Sequence, residues 1–435
     1  MFIPQDLHQL TFLNSMNKKV LVIAFYYPPS SAAAVQRALK ATEYLSQLGW
    51  QPVVLTARAS AYDKLEPSQA IPPEVVPHTY RARAYDVQNH LAYKGKHFSW
   101  MAAIDRWTTW IPDAILLGRK LIKQYQPDLI LSTTPIPSAN VIANHLSQKF
   151  GIPWVADYQD PFGYHHVAIN KYRAKILKTI DRNTIEHCQA AIFATTRTME
   201  VYQRAFESVE KSRFHTITNG FDENNWKQIA QYTPDSPSPF CANKFSLYYS
   251  GVLYAYGRDP RPVFKSIGEL RTQGIIDSGN FELVFQGSGD GQKFQQDLKA
   301  ENIADLVTFK ASVSFLDSLY FMQQANALLL IQDAIFNLQV PGKLYEYIRT
   351  GRPILTVTPT NSATASEANK YANSAVAENT NAISNSLKSW LESEPETISR
   401  KSLQCFSRYQ KTVELAEIFN QVVTNTATLT KPATE

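Results

Sequence analysis

The chain has 435 residues, a net charge of +5, and 44% hydrophobic against 19% charged residues. This composition excludes a disordered protein, and the length predicts two or three domains. The mild positive charge suits diphosphates or anionic lipid, but no nucleic-acid-binding signature accompanies it, so we expect no nucleic-acid partner.

Cysteine usage and the lack of long apolar runs indicate where the protein works. Cys188, Cys241 and Cys405 are far apart, which predicts neither a disulfide framework nor a zinc site and favours a reducing compartment. No apolar run reaches about 18 residues, so no transmembrane helix is expected. Residues 1–17 lack the pattern of a signal peptide and are interpreted as an N-terminal extension. We therefore expect a cytoplasmic protein.

The first half of the chain alternates short apolar runs with amphipathic stretches, which predicts a doubly wound α/β domain. A strand at 20–25 ends in two prolines, and the next helix, which contains Arg37, continues to a stop at Gly49. Further strands are predicted at 51–56, 127–133, 153–157, 190–194 and 214–217. We assign residues 18–227 to this domain and residues 228–243, which have linker composition, to a linker.

Residues 57–112 read as an irregular insertion in which cationic and aromatic side chains interleave. One interpretation is peripheral contact with a membrane, or with a lipid-linked acceptor, through Trp100, Trp107, Trp110 and nearby cations. The alternative is a surface insertion whose aromatic side chains pack underneath it.

Asp157 is the last residue of the predicted strand at 153–157, Asp160 lies three residues further on, and His165 comes soon after in a loop. Ligands of open α/β sheets bind outside the carboxyl ends of strands, which favours a functional interpretation. An ordinary turn explains the acids equally simply, and exposed loop histidines are common. Arg37 is either a phosphate or acceptor contact or a solvated helix residue.

The second half begins again with a strand, at 245–250, followed by glycine-containing loops at Gly251 and Gly287. Arg258 lies in the first of these loops. Further strands are predicted at 281–285, 307–309, 327–331 and 375–377. We assign residues 244–395 to a second domain, 396–425 to a terminal helical segment and 426–435 to a polar tail.

The stretch 337–359 predicts a loop, a short helix, a tight turn and a buried strand. Pro341 suits a first helical turn, and Gly351 suits a left-handed C-cap. The start of such a helix suits phosphate, because its free N–H groups and its dipole point outward. Lys343 and Glu346 lie three apart and share one helix face. On spacing alone, a surface ion pair explains these two residues better than a binding site.

The segment VPGKLYEYIRTGRPIL resembles the corresponding segment of glycosyltransferase family 4, whose members have the GT-B fold. The resemblance implies that Glu346 binds the donor ribose, and that Lys343 and the helix start at Gly342 face the diphosphate. Many members carry a second glutamate eight positions earlier, where this chain has Leu338.

Other segments resemble the same family in the expected order. The two prolines, small residues and Arg37 resemble the first donor loop, with serine and alanine in place of glycines. The run at 157–162 resembles an acceptor-side D-x-R-D-P-W segment, and the N-G-F-D run at 219–222 resembles the interdomain junction. The opening of the second domain at 251–260 resembles G-x-L-Y…R-D-P, which implies that Arg258 faces the diphosphate.

The resemblance implies a GT-B fold, with two Rossmann-like domains facing a cleft and a final helix that crosses back to the first domain. It implies transfer of a sugar, with retention, from a nucleotide diphosphate sugar to a glycan or lipid-linked acceptor. Such a reaction belongs to cell-surface polysaccharide or glycolipid synthesis.

The implied residue roles divide between the two domains. Asp160, Arg258 and Lys343 are catalytic candidates, and for an inverting reaction Asp160 is the candidate base. The donor-binding candidates are Glu346, Gly342, Gly251, Gly287 and Arg37. The acceptor-side candidates are Asp157 and His165. No D-x-D pair occurs, so we expect neither a metal ion nor another cofactor.

Two other functions remain open at this stage. A nucleotide-sugar epimerase can share the two-domain fold, although the aromatic and basic insertion favours a transferase with a large acceptor. A catalytically degenerate, scaffold-like homologue is the other alternative, which the absent first glutamate and loop glycines support.

Overall fold

The computed structural model describes residues 18–66, 69–89, 102–164, 170–253, 256–393 and 397–429. The chain divides into two compact units. The first unit contains the described residues up to Thr218 and those from Arg408 onward, and the second unit contains Asn219–Ser407.

The described part of the first unit contains a seven-stranded sheet in the order β3-β2-β1-β4-β5-β6-β7, in which every neighbouring pair is parallel. Its strands are β1 (Lys18–Ala24), β2 (Trp50–Ala57), β3 (Thr79–Ala82), β4 (Leu129–Thr133), β5 (Trp154–Tyr158), β6 (Ala190–Phe193) and β7 (Phe214–Thr216). Its helices are α1 (Val35–Gln47), α2 (Trp110–Tyr125), α3 (Ser138–Phe150), α4 (Lys171–His187), α5 (Thr196–Ala205) and, after the second unit, α13 (Arg408–Leu429). This is the predicted doubly wound architecture, with the edge strand β3 added inside the segment that the sequence predicted to be irregular.

Strands of the first sheet are apolar on both faces because helices cover both faces. In β1, Leu21 and Ile23 belong to one core cluster, whereas Val20 and Val22 belong to another. The final helix α13 completes the second of these clusters, where Phe419 packs edge-on against Trp50 with 5.3 Å between the ring centroids. The predicted return of the terminal helix to the first domain is therefore confirmed.

The described second unit contains a six-stranded sheet in the order β10-β9-β8-β11-β12-β13, again parallel throughout. Its strands are β8 (Phe245–Ser250), β9 (Phe281–Gln286), β10 (Val307–Lys310), β11 (Ala327–Ile331), β12 (Ile354–Val357) and β13 (Ser374–Ala377). Its helices are α6 (Glu223–Ile229), α7 (Arg261–Thr272), α8 (Gln295–Ala300), α9 (Phe315–Gln324), α10 (Lys343–Thr350), α11 (Ala363–Ala368) and α12 (Thr380–Glu392). The predicted linker, 228–243, belongs to this unit, and Ser236 in it donates a 2.7 Å hydrogen bond to the buried Asp317.

Two aromatic side chains of the insertion are buried, which contradicts the interpretation that they contact a membrane. Trp107 and Trp110 are 6% and 0% exposed, and both belong to the core of the first unit. Arg106 lies over the Trp107 ring and pairs with Asp63 and Asp86. The prediction that Trp107 and Trp110 contact a membrane is therefore wrong, because their rings are needed inside the core. Trp100 lies outside the described residues. Within those residues, no helix combines the length and the apolar character that crossing a bilayer requires.

The loop that follows β5 is fixed from beneath by a buried carboxylate. Asp181 on α4 is fully buried, and its Oδ2 accepts a 2.8 Å hydrogen bond from the Gly163 N–H. Burial raises the pKa of Asp181 to about 7, even though the Gly163 hydrogen bond favours the charged form. A Cβ on Gly163 would lie only 2.7 Å from the backbone nitrogen of Lys178, so glycine permits the close approach of loop and helix.

We predict that Asp181 makes stability depend on pH. Its pKa is higher in the native protein than in the unfolded chain, so its stabilising contribution is full below about pH 4 and is lost as the pH rises through about 7. Asp181→Asn keeps the acceptor oxygen but cannot ionise. The melting temperature of the wild type should therefore fall more than that of Asp181→Asn between about pH 5 and pH 8. Equal slopes in the two proteins would show that Asp181 does not titrate in this range.

Candidate functional site

Helix α10 ends as its sequence predicts, but it begins at Lys343, so Pro341 lies just before the N-cap and not in the first helical turn. Gly342 is the N-cap residue, and Gly351 ends the helix at φ +78°, a left-handed conformation that glycine adopts without steric cost. Leu344, Tyr345, Tyr347 and Ile348 are fully buried, and they fix the helix against the core of the second unit. The opposite face, with Lys343 and Glu346, is directed away from that core stripe.

Two glycine turns meet at the carboxyl ends of β8 and β9. Gly251, at φ +110°, donates its N–H to the Gln286 carbonyl at 2.8 Å, and its own carbonyl accepts the Ser288 hydroxyl at 2.6 Å. Gly287, at φ +72°, follows β9 directly. A Cβ on Gly251 would lie 3.1 Å from the Lys343 amine, so a side chain at 251 would crowd that amine.

The Lys343 side chain reaches from the start of α10 to the end of β8. Its Nζ donates a 2.6 Å hydrogen bond to the Ser250 carbonyl and lies 4.0 Å from the centroid of the Tyr249 ring. Burial, with the charge of Arg258 as a second cause, lowers the pKa of the Lys343 amine well below its ordinary value. Arg258 itself donates to the Val252 carbonyl at 3.1 Å. Two basic side chains thus converge on the 250–252 turn.

Glu346 is partly exposed one turn further along α10. Its Oε2 accepts a 3.0 Å hydrogen bond from the indole N–H of Trp226 on α6. Gly342 is exposed and leaves open space at the helix start, since a Cβ there would meet no atom within 4 Å. A carboxylate and a cation therefore lie on one face of α10, beside a helix start that a ligand can approach.

The first-unit candidates have a different arrangement. The Arg37 guanidinium holds Asp157 in a two-pronged ion pair, with Nε 2.9 Å from Oδ2 and Nη2 2.6 Å from Oδ1. Asp157 also accepts the Thr133 hydroxyl at 2.7 Å. The remaining Arg37 donors bind the carbonyls of Ile217 and Thr218, at 2.9 and 3.2 Å. These contacts tie α1, β4, β5 and the chain after β7 together at one edge of the sheet.

Asp160 lies two residues beyond the end of β5 and is partly exposed. His165 lies outside the described residues. The neighbouring Gln159, where the family segment has arginine, donates its side-chain amide to Thr133 at 3.1 Å. Asp160 is therefore held on a loop whose neighbours are fixed by hydrogen bonds.

The predicted donor-site residues belong to both units of the chain. Gly251, Arg258 and Lys343 meet at one turn of the second unit. Arg37, predicted with the donor-binding group, lies in the first unit, where its guanidinium binds Asp157. Sequence reasoning missed Trp226, the partner of Glu346. A signal for it exists only in retrospect, because tryptophan is a hydrogen-bond donor that follows the N-G-F-D run by four residues.

Residues 32–220 match the family model described as "Glycosyl transferase 4-like domain". This part of the chain is similar to that family of domains. The prediction of a glycosyltransferase enzyme is thereby confirmed at the level of enzyme class. The sequence matches no curated protein.

Solved structures share the fold across nearly the whole chain. Sucrose-phosphate synthase from Thermosynechococcus elongatus is 15% identical, with a TM-score of 0.61, over 94% of this chain and 100% of its own. HepE from Anabaena, in complex with UDP, is 13% identical, with a TM-score of 0.61, over 93% and 100%. The UDP-GlcNAc 2-epimerase from Neisseria meningitidis, bound to UDP-GlcNAc, is 14% identical, with a TM-score of 0.55, over 93% and 100%. These likenesses confirm the predicted fold class, an α/β GT-B protein with two parallel sheets.

We predict that Arg37 acts on stability. Arg37→Met leaves Asp157 buried without its cation, and breaking such a pair costs about 3–5 kcal/mol. The melting temperature should fall, and the double variant Arg37→Met/Asp157→Asn should recover part of the loss because the stranded charge is gone. A variant that melts like the wild type but no longer binds nucleoside diphosphates would instead support Arg37 as a donor contact.

Proposed function

We propose that the protein transfers a sugar from a nucleoside diphosphate sugar, held by the second unit, to an acceptor held by the first unit. The observation that carries the proposal is the convergence of Lys343 and Arg258 on the Gly251 turn, next to the start of α10. A glycine in the turn, two basic side chains and a helix N-terminus are features that suit a diphosphate.

The electrostatics of Lys343 support a bound anion. Burial and a neighbouring cation oppose its charge, so an anion beside it would restore the charged form and would be attracted strongly in return. As the bond between the sugar and the diphosphate breaks, negative charge grows on the leaving oxygen. Lys343 and Arg258 would stabilise that charge without rearranging, because the Ser250 and Val252 carbonyls already hold them.

The nucleoside end is assigned to Glu346. A carboxylate accepts hydrogen bonds from two vicinal hydroxyls, and Glu346 lies one helical turn from Lys343, which suits a ribose next to a diphosphate. The complex of HepE with UDP supports a nucleoside diphosphate as the ligand of this fold.

Asp160 is proposed to face the acceptor hydroxyl at the carboxyl end of β5. In a reaction with retention, which the family resemblance favours, it positions the acceptor. In an inverting reaction it takes the proton of the attacking hydroxyl. The resemblance also supports a glycan or lipid-linked acceptor in cell-surface polysaccharide or glycolipid synthesis, on the cytoplasmic side of a membrane.

Incubation of the protein with UDP-, GDP-, ADP- and dTDP-sugars, with and without lipid-linked and glycan acceptors, tests the activity. Transfer, or slow hydrolysis that releases a nucleoside diphosphate, supports the proposal. Interconversion of the sugar without release would identify an epimerase, as in the Neisseria structure. No reaction and no binding would favour a degenerate homologue.

We predict that mutations in the second unit lower nucleotide affinity, whereas a mutation in the first unit lowers turnover. Glu346→Gln replaces a charge-assisted hydrogen bond of roughly 1.5–3 kcal/mol by a neutral one, so nucleotide affinity should fall by about tenfold. Lys343→Ala should weaken the binding of a nucleoside diphosphate more than the binding of a nucleoside. Asp160→Asn should leave nucleotide affinity nearly unchanged and lower turnover with acceptor. Isothermal titration and turnover assays measure both effects.

The matched controls for this prediction are Glu392→Gln and Lys388→Ala on α12, an exposed pair whose charges are 4.0 Å apart. Neither should change nucleotide affinity. If Asp160→Asn abolishes nucleotide binding while Glu346→Gln leaves it intact, the donor site has been assigned to the wrong unit and the proposal fails.

We also predict a reaction that needs no divalent metal ion. Cationic side chains rather than a carboxylate-held metal are proposed to balance the diphosphate, so activity should survive EDTA. Activity that disappears with EDTA and returns with Mg²⁺ or Mn²⁺ would contradict this prediction.

A further inference from the structure

Helix α6 is joined to the proposed donor helix α10 by two side-chain bridges. In the first, the Trp226 indole N–H donates to Glu346 Oε2 at 3.0 Å. In the second, the Arg349 guanidinium binds both carboxylate oxygens of Glu223, with 2.5 Å between Nε and Oε2. The bridges are three residues apart on each helix. The earlier residue of each helix pairs with the later residue of the other.

This spacing makes the two bridges a short ladder between antiparallel helix faces. Residues three apart lie on the same face of a helix, so Glu223 and Trp226 point together toward α10, and Glu346 and Arg349 point back. Two bridges at separate points along the helices together restrict both sliding and rotation of α6 relative to α10. The ladder therefore fixes the position of the indole relative to Glu346.

The ladder is buried at its centre. Trp226 is 3% exposed, Arg349 is 2% exposed, and the Arg349 guanidinium lies 5.3 Å from the centroid of the Trp226 ring. The same guanidinium lies 5.7 Å from the centroid of the Phe221 ring. A cation held over aromatic rings and paired with a carboxylate has little rotational freedom, and the indole packed against it shares that rigidity.

We propose that Trp226 is a positioning residue that sets the orientation of the Glu346 carboxylate for recognition of the ribose diol. The inference rests on the proposed function, because it takes Glu346 as the ribose ligand. A carboxylate offers about four acceptor positions, so one indole hydrogen bond holds it while hydroxyls bind. Holding the carboxylate in place before the ligand arrives lowers the ordering cost of binding.

A fixed Glu346 carboxylate should affect selectivity as well as affinity. A carboxylate fixed in one plane can accept from the 2′ and 3′ hydroxyls together, whereas a rotating one gains less from the second hydroxyl. Loss of the indole N–H should therefore reduce the preference for a ribonucleotide over its 2′-deoxy counterpart. A general loosening of the fold would weaken the binding of the ribonucleotide and of its 2′-deoxy counterpart equally.

The experiment uses Trp226→Phe, which keeps an aromatic ring and removes the N–H. The probes are UDP, GDP and ADP and, for whichever binds the wild type most tightly, the 2′-deoxynucleoside diphosphate. We expect the ribonucleotide to bind Trp226→Phe about three- to tenfold more weakly, which corresponds to a hydrogen bond of about 1 kcal/mol. The ratio of the two dissociation constants should fall toward one. Trp390→Phe, the same substitution on α12 of the same unit, should leave both constants unchanged.

The outcomes distinguish this inference from the function on which it rests. A ribo-to-deoxy preference that falls in Trp226→Phe supports the positioning role. Equal weakening of both ligands, or unchanged affinities, overturns that role while Glu346→Gln still loses binding. If Glu346→Gln binds like the wild type, Glu346 is not the ribose ligand, and both that assignment and the positioning role of Trp226 are wrong. Should Trp226→Phe not fold, Glu223→Gln, which weakens the other bridge, must lower the preference instead, and an unchanged preference there overturns the inference.

Discussion

The hydrogen bond from the Lys343 amine to the Ser250 carbonyl is the contact on which the proposed donor site depends. It requires glycine at 251, where a side chain would crowd the amine, a helix whose first residue reaches the end of β8, and burial that opposes the charge of the amine until an anion binds beside it. Each requirement is met by a different part of the second unit. The parallel sheet provides the strand end, the buried stripe of α10 fixes the helix, and the glycine turns keep the space open. The position of the Lys343 amine thus follows from the packing of residues that do not themselves contact the proposed ligand.

Much of the fold follows from local sequence signals. Runs of five or six apolar residues separated by helical patterns predict parallel strands covered on both faces, and such strands are found in both units. The C-cap of α10 was predictable because Gly351 directly follows the helical stripe, where a residue in the left-handed conformation commonly ends a helix. The strand β3 was not predictable, because a four-residue edge strand with only one buried residue has no periodic signal. Trp107 and Trp110 resisted prediction for a related reason, since an aromatic residue among cations suits a membrane surface and a core equally well.

The candidate site was predictable to the extent that its residues are neighbours in sequence. Lys343 and Glu346 share a helix face by spacing alone, but the resemblance to a family was needed to favour a site over a surface ion pair. Contacts between distant segments were beyond reach. The binding of Arg37 to Asp157 spans 120 residues, and so does the hydrogen bond from Trp226 to Glu346. Nothing in the local pattern specifies either partner, so a structural role for Arg37 and a positioning role for Trp226 emerge only from the fold.

Hydrogen exchange of the full chain, with and without a saturating nucleoside diphosphate, tests the central claim most directly. The account predicts slower exchange at the amides of the 250–252 turn, the 287–289 turn and the start of α10 at 342–346. It predicts no primary protection in the 157–163 loop of the first unit. Protection confined to that loop and to the start of α1, with none at the three segments of the second unit, would contradict it.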